Sequence, residues 1–515
     1  MEHSGEKKNW NSWIAAVHVA AVFLVLPLIY RDYYYDILEV KYYFYCGCVI
    51  VMAAVILGYL LLAVRPKKAL AEMREKSWKQ RFDITDTAVL VFGVVAAIST
   101  VLSPFKWEAF WGNEGRFTGL FLLSLYVVAY FCISRCLRFK QVFLNIMLFS
   151  GVWVCLFGIT DFFDMDLLGF KAGISEQQYD IFTSFIGNIN TYTALVAVYM
   201  GVAATLFATT RNRLEMAAYY VCVCIYFFAM ITGVSDNAYL AIMALFGFLP
   251  LHLFGSRRGL RRYVILLATF FTVVQVIGFI SVAYADQVMP IKGLFTYLAS
   301  FSKLPLINVV LWGVAVILCV VDYVQKKQDA QLKPLARYLW WALIVVVVCA
   351  VLYLLYDVNV AGNVDRYGSL KKYLLLDDEW GTHRGYIWRL AVENYVQLPI
   401  LQKIFGYGPD TFGLLTYFNN LKEMTGRYGE LFDSVHNEYL QYFVTIGPIG
   451  LAAYLVILGS AFKRFIEKGR ENPVLIAILF GVLCYSVQAL VNINQPIAMP
   501  IMWTLLCTGV AKCRE

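Results

Sequence analysis

The stretch DSVHNEYLQYFVTIGPIG, residues 433–450, sets a His436-Asn437-Glu438 triplet at the head of an apolar run that contains Gly447 and Gly450. An imidazole titrates near neutral pH, which suits it to take a proton from a hydroxyl. Upstream, THRGYIWRLAVENYVQ (382–397) carries His383, Arg384 and Arg389, and WGNEGRFTGL (111–120) carries Arg116. Guanidinium groups bind phosphate oxygens bidentately and stay charged. Proton removal beside a held anion is the chemistry these types can do. Plainer readings stand beside it. His436 also fits an interfacial histidine satisfying a helix start, and Asn437 fits a substrate contact or a helix cap. Arg389 fits a side chain snorkelling to lipid headgroups, and Arg116 an interface anchor beside Trp107 and Trp111.

The elements that must position these groups cross a membrane. Of 515 residues, 60% are hydrophobic and 15% charged, and mean hydropathy is +0.65. Soluble domains are closer to half apolar and a quarter charged. Apolar runs of bilayer-crossing length recur from end to end. They predict an all-α helical bundle of fourteen spans at 11–30, 41–64, 84–103, 117–134, 142–161, 187–209, 215–233, 237–254, 263–284, 305–324, 338–356, 435–460, 474–491 and 496–511. The first run, Asn11 to Tyr30, reads as a retained span.

Alternate loops and both tails hold 28 of the 43 Lys and Arg residues. Basic residues collect in short cytoplasmic loops, so both termini are placed inside and loop 357–433 outside. His436 then opens a span from the outer face. The net charge of +8 is explained by this topology and gives no reason to expect nucleic acid. The twelve cysteines fall in apolar runs or at their cytoplasmic ends, so neither a disulfide framework nor a metal site is expected. Within the outer loop, Thr382 is a candidate N-cap, and Ile387, Leu390 (or Ala391) and Tyr395 lie near helical spacing. The expectation is an amphipathic helix on the outer membrane surface.

Polar residues gather at the outer ends: GNINTYT (187–193), TGVSDN (232–237), the His436 triplet, and Gln488 with Asn492, Asn494 and Gln495. Either they face one another around a wet vestibule or each caps its own helix. Mid-depth positions are nearly free of ionisable residues. That argues against an ion-coupled carrier and for chemistry at the outer surface.

His436-Asn437, nine residues, then Gly447-Pro-Ile-Gly450 resembles the signature of the O-antigen ligase and Wzy-type O-antigen polymerase superfamily. RGYIWRLAVENYVQLPILQKIFGYGPDTF is similar to that family's outer-loop run, and GNIN, with Asn188 and Asn190, to its Gly-Asn-x-Asn segment. The resemblance divides the chain into N-terminal helices (1–180), a ligase-like core (181–465) and C-terminal helices (466–515). It implies a glycosyltransferase of the cytoplasmic membrane, needing neither cofactor nor metal. The donor would be an undecaprenyl-pyrophosphate-linked glycan, and the acceptor a hydroxyl of a glycan or glycolipid, with inversion at the anomeric carbon.

On that reading His436 is the base, and Glu438, pointing about 200° away on a helix, the lesser alternative. Asp433 is placed to orient the imidazole, and Arg384 to bind pyrophosphate. Asn437, Glu438, His383, Arg389, Asn188 and Asn190 are further candidates for substrate contact. Gly447 and Gly450 permit close helix approach. Where relatives carry a Ser-Arg pair, this chain has Ser235-Asp236, and Arg116 is the nearest substitute for the missing cation. The competing function is a transporter or flippase of lipid-linked glycans. A sensor built on the outer loop is a third. Ligase and polymerase are not separated.

Overall fold

The computed structural model describes residues 10–63, 81–175, 178–325 and 330–515. The N-terminal lysines and nearly all of the basic loop 65–81 used in the topology lie outside the described residues. Among the described residues the chain is a helical bundle, with one two-stranded hairpin turn (Phe182–Thr183 with Gly187–Asn188) as its only strands.

The predicted spans all appear as helices. The first half comprises α1 (Trp10–Leu24), α2 (Ile37–Ala63), α3 (Ile84–Leu102), α4 (Leu120–Cys136), α5 (Val142–Phe162), α6 (Ile189–Thr209) and α7 (Arg213–Thr232). Then come α8 (Asn237–Leu253), α9 (Arg257–Ala283), α10 (Leu304–Gln325) and α11 (Leu335–Asn359). The outer loop contributes α12 (Trp380–Gln397) and α13 (Phe412–Tyr428). The chain returns through α14 (Glu438–Thr445), α15 (Gly447–Gly469), α16 (Pro473–Gln488) and α17 (Met499–Arg514). Ten of the described helices are long and apolar enough to cross a membrane, and α1, α4 and α8 are shorter apolar helices. This is a multi-pass membrane protein. The span expected as one helix at 435–460 is instead two, α14 and α15, broken at Ile446-Gly447.

The centre of the bundle is α6, buried along its whole candidate span. Its Ala, Gly and Thr residues let neighbouring backbones come close, which is how helices associate where lipid is as apolar as leucine. A Cβ on Gly201 would lie 2.4 Å from the Phe480 carbonyl oxygen of α16. At the other extreme, the apolar stretch of α11 buries none of its residues against protein, as expected of a helix facing lipid.

The polar residues at one end of the bundle do meet, as hydrogen-bonded glue between helices. The Ser235 hydroxyl donates to Asn190 Oδ1 (2.5 Å). The Asn237 amide donates to the Asn190 carbonyl (2.9 Å) and to Gln488 Oε1 (3.0 Å), and the Asn492 amide to the same two acceptors (3.0 and 2.8 Å). Asn188 caps α6 by accepting from Asn190 N–H. Asn188 and Asn190 are thus committed to helix ends and interhelical bonds.

Loop 357–433 packs a core of its own. Tyr386, Ile387, Leu390 and Ala391 of α12 meet Phe412, Leu415 and Met424 of α13, with Val435 and Val444 beneath. The apolar face of α12 therefore rests on protein, which corrects the expectation that it lies on the membrane surface. Thr382 is no N-cap either. Gly381, Thr382 and His383 all have left-handed backbone (φ 62°, 60° and 66°), and regular helix begins only at Arg384.

Gly201→Val overpacks the α6–α16 contact and should cost about 1–3 kcal/mol. It is expected to lower the unfolding midpoint in detergent. Gly58→Val on α2, where a Cβ meets nothing within 4 Å, should leave it nearly unchanged. Equal midpoints for both variants would contradict this packing.

Candidate functional site

Helix α12 reaches the His436 turn through one hydrogen bond. A single turn after Arg384, the Trp388 indole N–H donates to the Val435 carbonyl at 3.0 Å. Val435 N–H donates to Gln441 Oε1 at 3.0 Å, tying the same segment to α14. Asn437 caps α14, its side chain accepting from Tyr439 and Leu440 N–H (both 3.0 Å). Between these anchors His436 is held at φ 53°, a left-handed conformation uncommon for a residue with a side chain. Burial, then the charges of Arg384 and Arg116, depress its pKa to about 4, against a smaller upward pull from Asp433. His436 is therefore a neutral imidazole at physiological pH, facing two cations.

Those cations are held differently. Arg116 grips Asp433 bidentately, Nη2 to Oδ1 at 2.8 Å and Nε to Oδ2 at 3.1 Å. Burial works to raise the Asp433 pKa, but Arg116 and His436 together hold it below the usual carboxylate value. Asp433 thus hydrogen-bonds Arg116, and its charge acts on the nearby imidazole. Arg384 makes one hydrogen bond, Nη1 to the Gly381 carbonyl at 2.6 Å, and its buried Nε has no partner among the described residues. Burial lowers its pKa, and Asp236 counters. The Ser235-Asp236 pair thus contributes a carboxylate opposite Arg384, in place of the expected second arginine.

Other candidates lie apart. Arg389 is engaged by Asp378 (3.0 and 3.1 Å), Glu393 (3.0 Å) and Glu423 (3.3 Å). It builds the loop and is free for neither phosphate nor lipid. His383 turns its Nδ1 to within 3.0 Å of Glu379 and its ring against Tyr428 (centroids 4.4 Å apart). Glu438 points into the bundle, accepting from the Tyr454 (2.6 Å) and Tyr485 (3.2 Å) hydroxyls.

The spacing from His436 to Gly447 now has a physical meaning. It is the length of α14 plus its break. At the break Gly447 has φ 73°, and a Cβ there would lie 2.2 Å from the Ile404 carbonyl oxygen. The loop segment 406–408 crosses this point, Tyr407 N–H donating to Val444 O (3.0 Å) and Gly408 N–H to Thr445 O (2.9 Å). At Gly450 the nearest atoms to a Cβ would be those of the Ile446 side chain, 2.7 Å away. Just beyond, Asp410 accepts from Asn113 (2.8 Å) and Thr118 N–H (3.0 Å). Burial raises the Asp410 pKa to about 6, against those bonds. Asp410 thus fixes the loop carrying Arg116, a role that the sequence hinted at only through its place in the GYGPD turn. Of nine non-glycine residues with positive φ among the described residues, six (Phe117, Val234, Thr382, His383, Asp410 and His436) lie in the segments meeting here. Such strain collects where surrounding structure imposes a geometry.

Residues 291–455 match the family model described as O-antigen ligase. That segment is similar to the O-antigen ligase family. The match contains His436, Arg384, Gly447 and Gly450, and falls inside the 181–465 region expected as the core. It leaves Arg116, Asn188 and Asn190 outside. No curated protein matched the chain.

Trp388→Phe keeps an aromatic ring and removes the donor to Val435, at a cost of about 0.5–1.5 kcal/mol. Backbone amides at 434–437 should then exchange with deuterium several-fold faster, while α6 is unaffected. Unchanged exchange at 434–437 would show that the bond does not hold this turn.

Proposed function

We propose that this protein transfers a glycan from an undecaprenyl-pyrophosphate carrier to an acceptor hydroxyl, on the outer face of the cytoplasmic membrane. The observation that carries the reading is the convergence of one neutral imidazole with two guanidinium groups. One of these, Arg384, has a buried Nε without a partner among the described residues, and Arg384 and His436 both lie in the segment that matches the O-antigen ligase family model, with Arg116 joining them from outside it. His436 accepts the acceptor's proton as the oxygen attacks the anomeric carbon. The bond from that carbon to the pyrophosphate oxygen breaks with inversion, and its electron pair leaves on the lipid diphosphate. Arg384 and Arg116 stabilise that developing charge. The basic loops support both termini on the cytoplasmic side and the site outside.

The electrostatics add a consequence. Unoccupied, the site keeps His436 a poor proton acceptor because cations surround it. A diphosphate between Arg384 and Arg116 offsets that field and raises the imidazole's proton affinity, so the base strengthens once the donor is in place.

His436→Ala should lower turnover by a factor of about 10²–10⁴. Arg384→Ala should do the same, with Arg384→Lys partly active. The assay is purified protein in liposomes with a lipid-diphosphate donor, products sized by mass. A fully active His436→Ala enzyme would remove the base assignment. Movement of the lipid-linked glycan between leaflets without new glycosidic bonds would favour a flippase.

The pH profile follows from the depressed pKa. Protonation disables His436 only near pH 4, so kcat/KM should hold level from neutral pH down to about 5 and then fall. Arg116→Ala removes a positive neighbour, raises the His436 pKa and should move that acid limb to higher pH. A wild-type limb at the ordinary histidine value of about 6.5 would contradict this.

A further inference from the structure

At the end of the bundle opposite the site, a cleft of about 840 Å³ lies between α8 and α11 on one side and α15 and α16 on the other. Its longest wall is α16, where Ile476, Leu479, Phe480 and Leu483 are spaced to share one helical face. That wall runs roughly 10 Å along the axis. Phe248 of α8 and Phe462 of α15 flank it.

Exposed apolar residues on a membrane protein ordinarily meet bulk lipid, so this wall alone decides nothing. The charged end decides. The polar residues of the lining are His252, Gln331, Arg337 and Arg470, with no carboxylate among them. Neither arginine is ion-paired among the described residues, whereas Arg464 of α15 and Arg514 of α17 share Asp83. Arginines beside a cytoplasmic loop can simply be solvated, but Arg337 is seated by backbone. The turn between α8 and α9 pairs with the chain entering α11. Leu332 N–H donates to the Gly255 carbonyl (3.1 Å), and Arg257 N–H to the Ala330 carbonyl (3.0 Å). The Trp340 indole N–H donates to the Gly247 carbonyl of α8 at 2.7 Å, which fixes the start of α11. Arg337 then lies across the turn, its Nη2 2.0 Å from where a Cβ on Gly255 would be, and its charge reaches His252. Fixed cations heading an apolar channel match an amphiphile with an anionic head. On the topology proposed above, that head lies at the cytoplasmic surface, where anionic lipids attract basic side chains.

We propose that this cleft binds an anionic phospholipid of the cytoplasmic leaflet, its phosphate between Arg337 and Arg470 and an acyl chain along α16. A free phosphate would meet the arginines and leave the apolar wall uncovered. Such a site stands whether or not His436 acts as a base. Phe480 belongs both to this wall and to the α6–α16 contact, where its carbonyl oxygen faces Gly201. A lipid held there by the folded state alone stabilises the bundle at its centre.

The test is native mass spectrometry of the delipidated full-length protein in detergent, with its unfolding midpoint measured in parallel. The protein is titrated with phosphatidylglycerol, phosphatidylcholine or inorganic phosphate. Phosphatidylglycerol is expected to bind about tenfold more tightly than phosphatidylcholine and to raise the midpoint. Replacing Arg337→Ala together with Arg470→Ala should reduce that preference to about twofold or less. Both arginines are exposed, so the double variant should keep its helicity. Lys463→Ala removes an exposed cation of α15 outside the cleft and should leave the preference unchanged. Leu483→Trp, which fills the apolar end, should weaken both lipids. Equal affinity for the two lipids, or an unchanged preference in the double variant, would overturn the assignment. So would an equal loss in Lys463→Ala, unweakened binding in Leu483→Trp, or complete displacement of the lipid by inorganic phosphate.

Discussion

The Trp388 indole and the Val435 carbonyl, 3.0 Å apart, join two parts of the chain that have nothing local in common. On one side is the first regular turn of α12, with Arg384 at its head. On the other is the left-handed turn that presents His436. Each partner is fixed independently, α12 by its core with α13 and the His436 turn by the cap and side chains of α14. The bond therefore sets the separation of imidazole and guanidinium with little slack. Arg116 completes the arrangement from the loop between α3 and α4, which Asp410 holds in place. Charge supplies the second constraint. Asp433 pairs with Arg116, whereas Arg384 is bonded to the Gly381 carbonyl and feels the Asp236 charge without an ion pair to it, and its buried Nε–H has no partner among the described residues. A buried donor in that condition costs free energy that an anion can recover.

Backbone geometry explains the spacing of eleven residues between His436 and Gly447. The two turns of α14 carry the chain inward from His436, and the break at Gly447 lets 404–408 cross over it. Side chains at either crossing point would collide with carbonyl oxygens, so glycine is demanded there by contact as well as by φ. The crossing roots the outer loop in the bundle. Further ties come from Asp410, which accepts from Asn113 and Thr118 N–H, and from Gln402, whose amide donates to the Leu102 carbonyl at 3.1 Å.

Much of this was legible in the sequence. Hydropathy located the spans because a bilayer demands long apolar helices. The polar outer ends were recognisable because such residues are costly in lipid and must find one another. His436 and Arg384 stood out through their types and their motif. What the sequence concealed were the long-range pairings. Nothing in the periodicity of α12 reveals that Arg389 will be taken by Asp378, Glu393 and Glu423. Nor does it reveal that Asp433 will pair with Arg116, more than three hundred positions earlier. The left-handed run at 381–383 imitates a helix start in one dimension, with Thr382 in the place of a cap. Helical spacing also cannot tell a face resting on lipid from one resting on α13, and so the loop's own core was missed. Asp410 looked like turn chemistry because it is a turn residue. Its second function, receiving two N–H groups from the loop between α3 and α4, exists only in three dimensions.

The most direct measurement is a structure of the protein in nanodiscs with a polyprenyl diphosphate bound. Diphosphate oxygens are expected to accept hydrogen bonds from Arg384 and Arg116, with His436 facing the position of the anomeric carbon. A diphosphate bound elsewhere, with Arg384 still bonded only to the Gly381 carbonyl, would contradict the central claim.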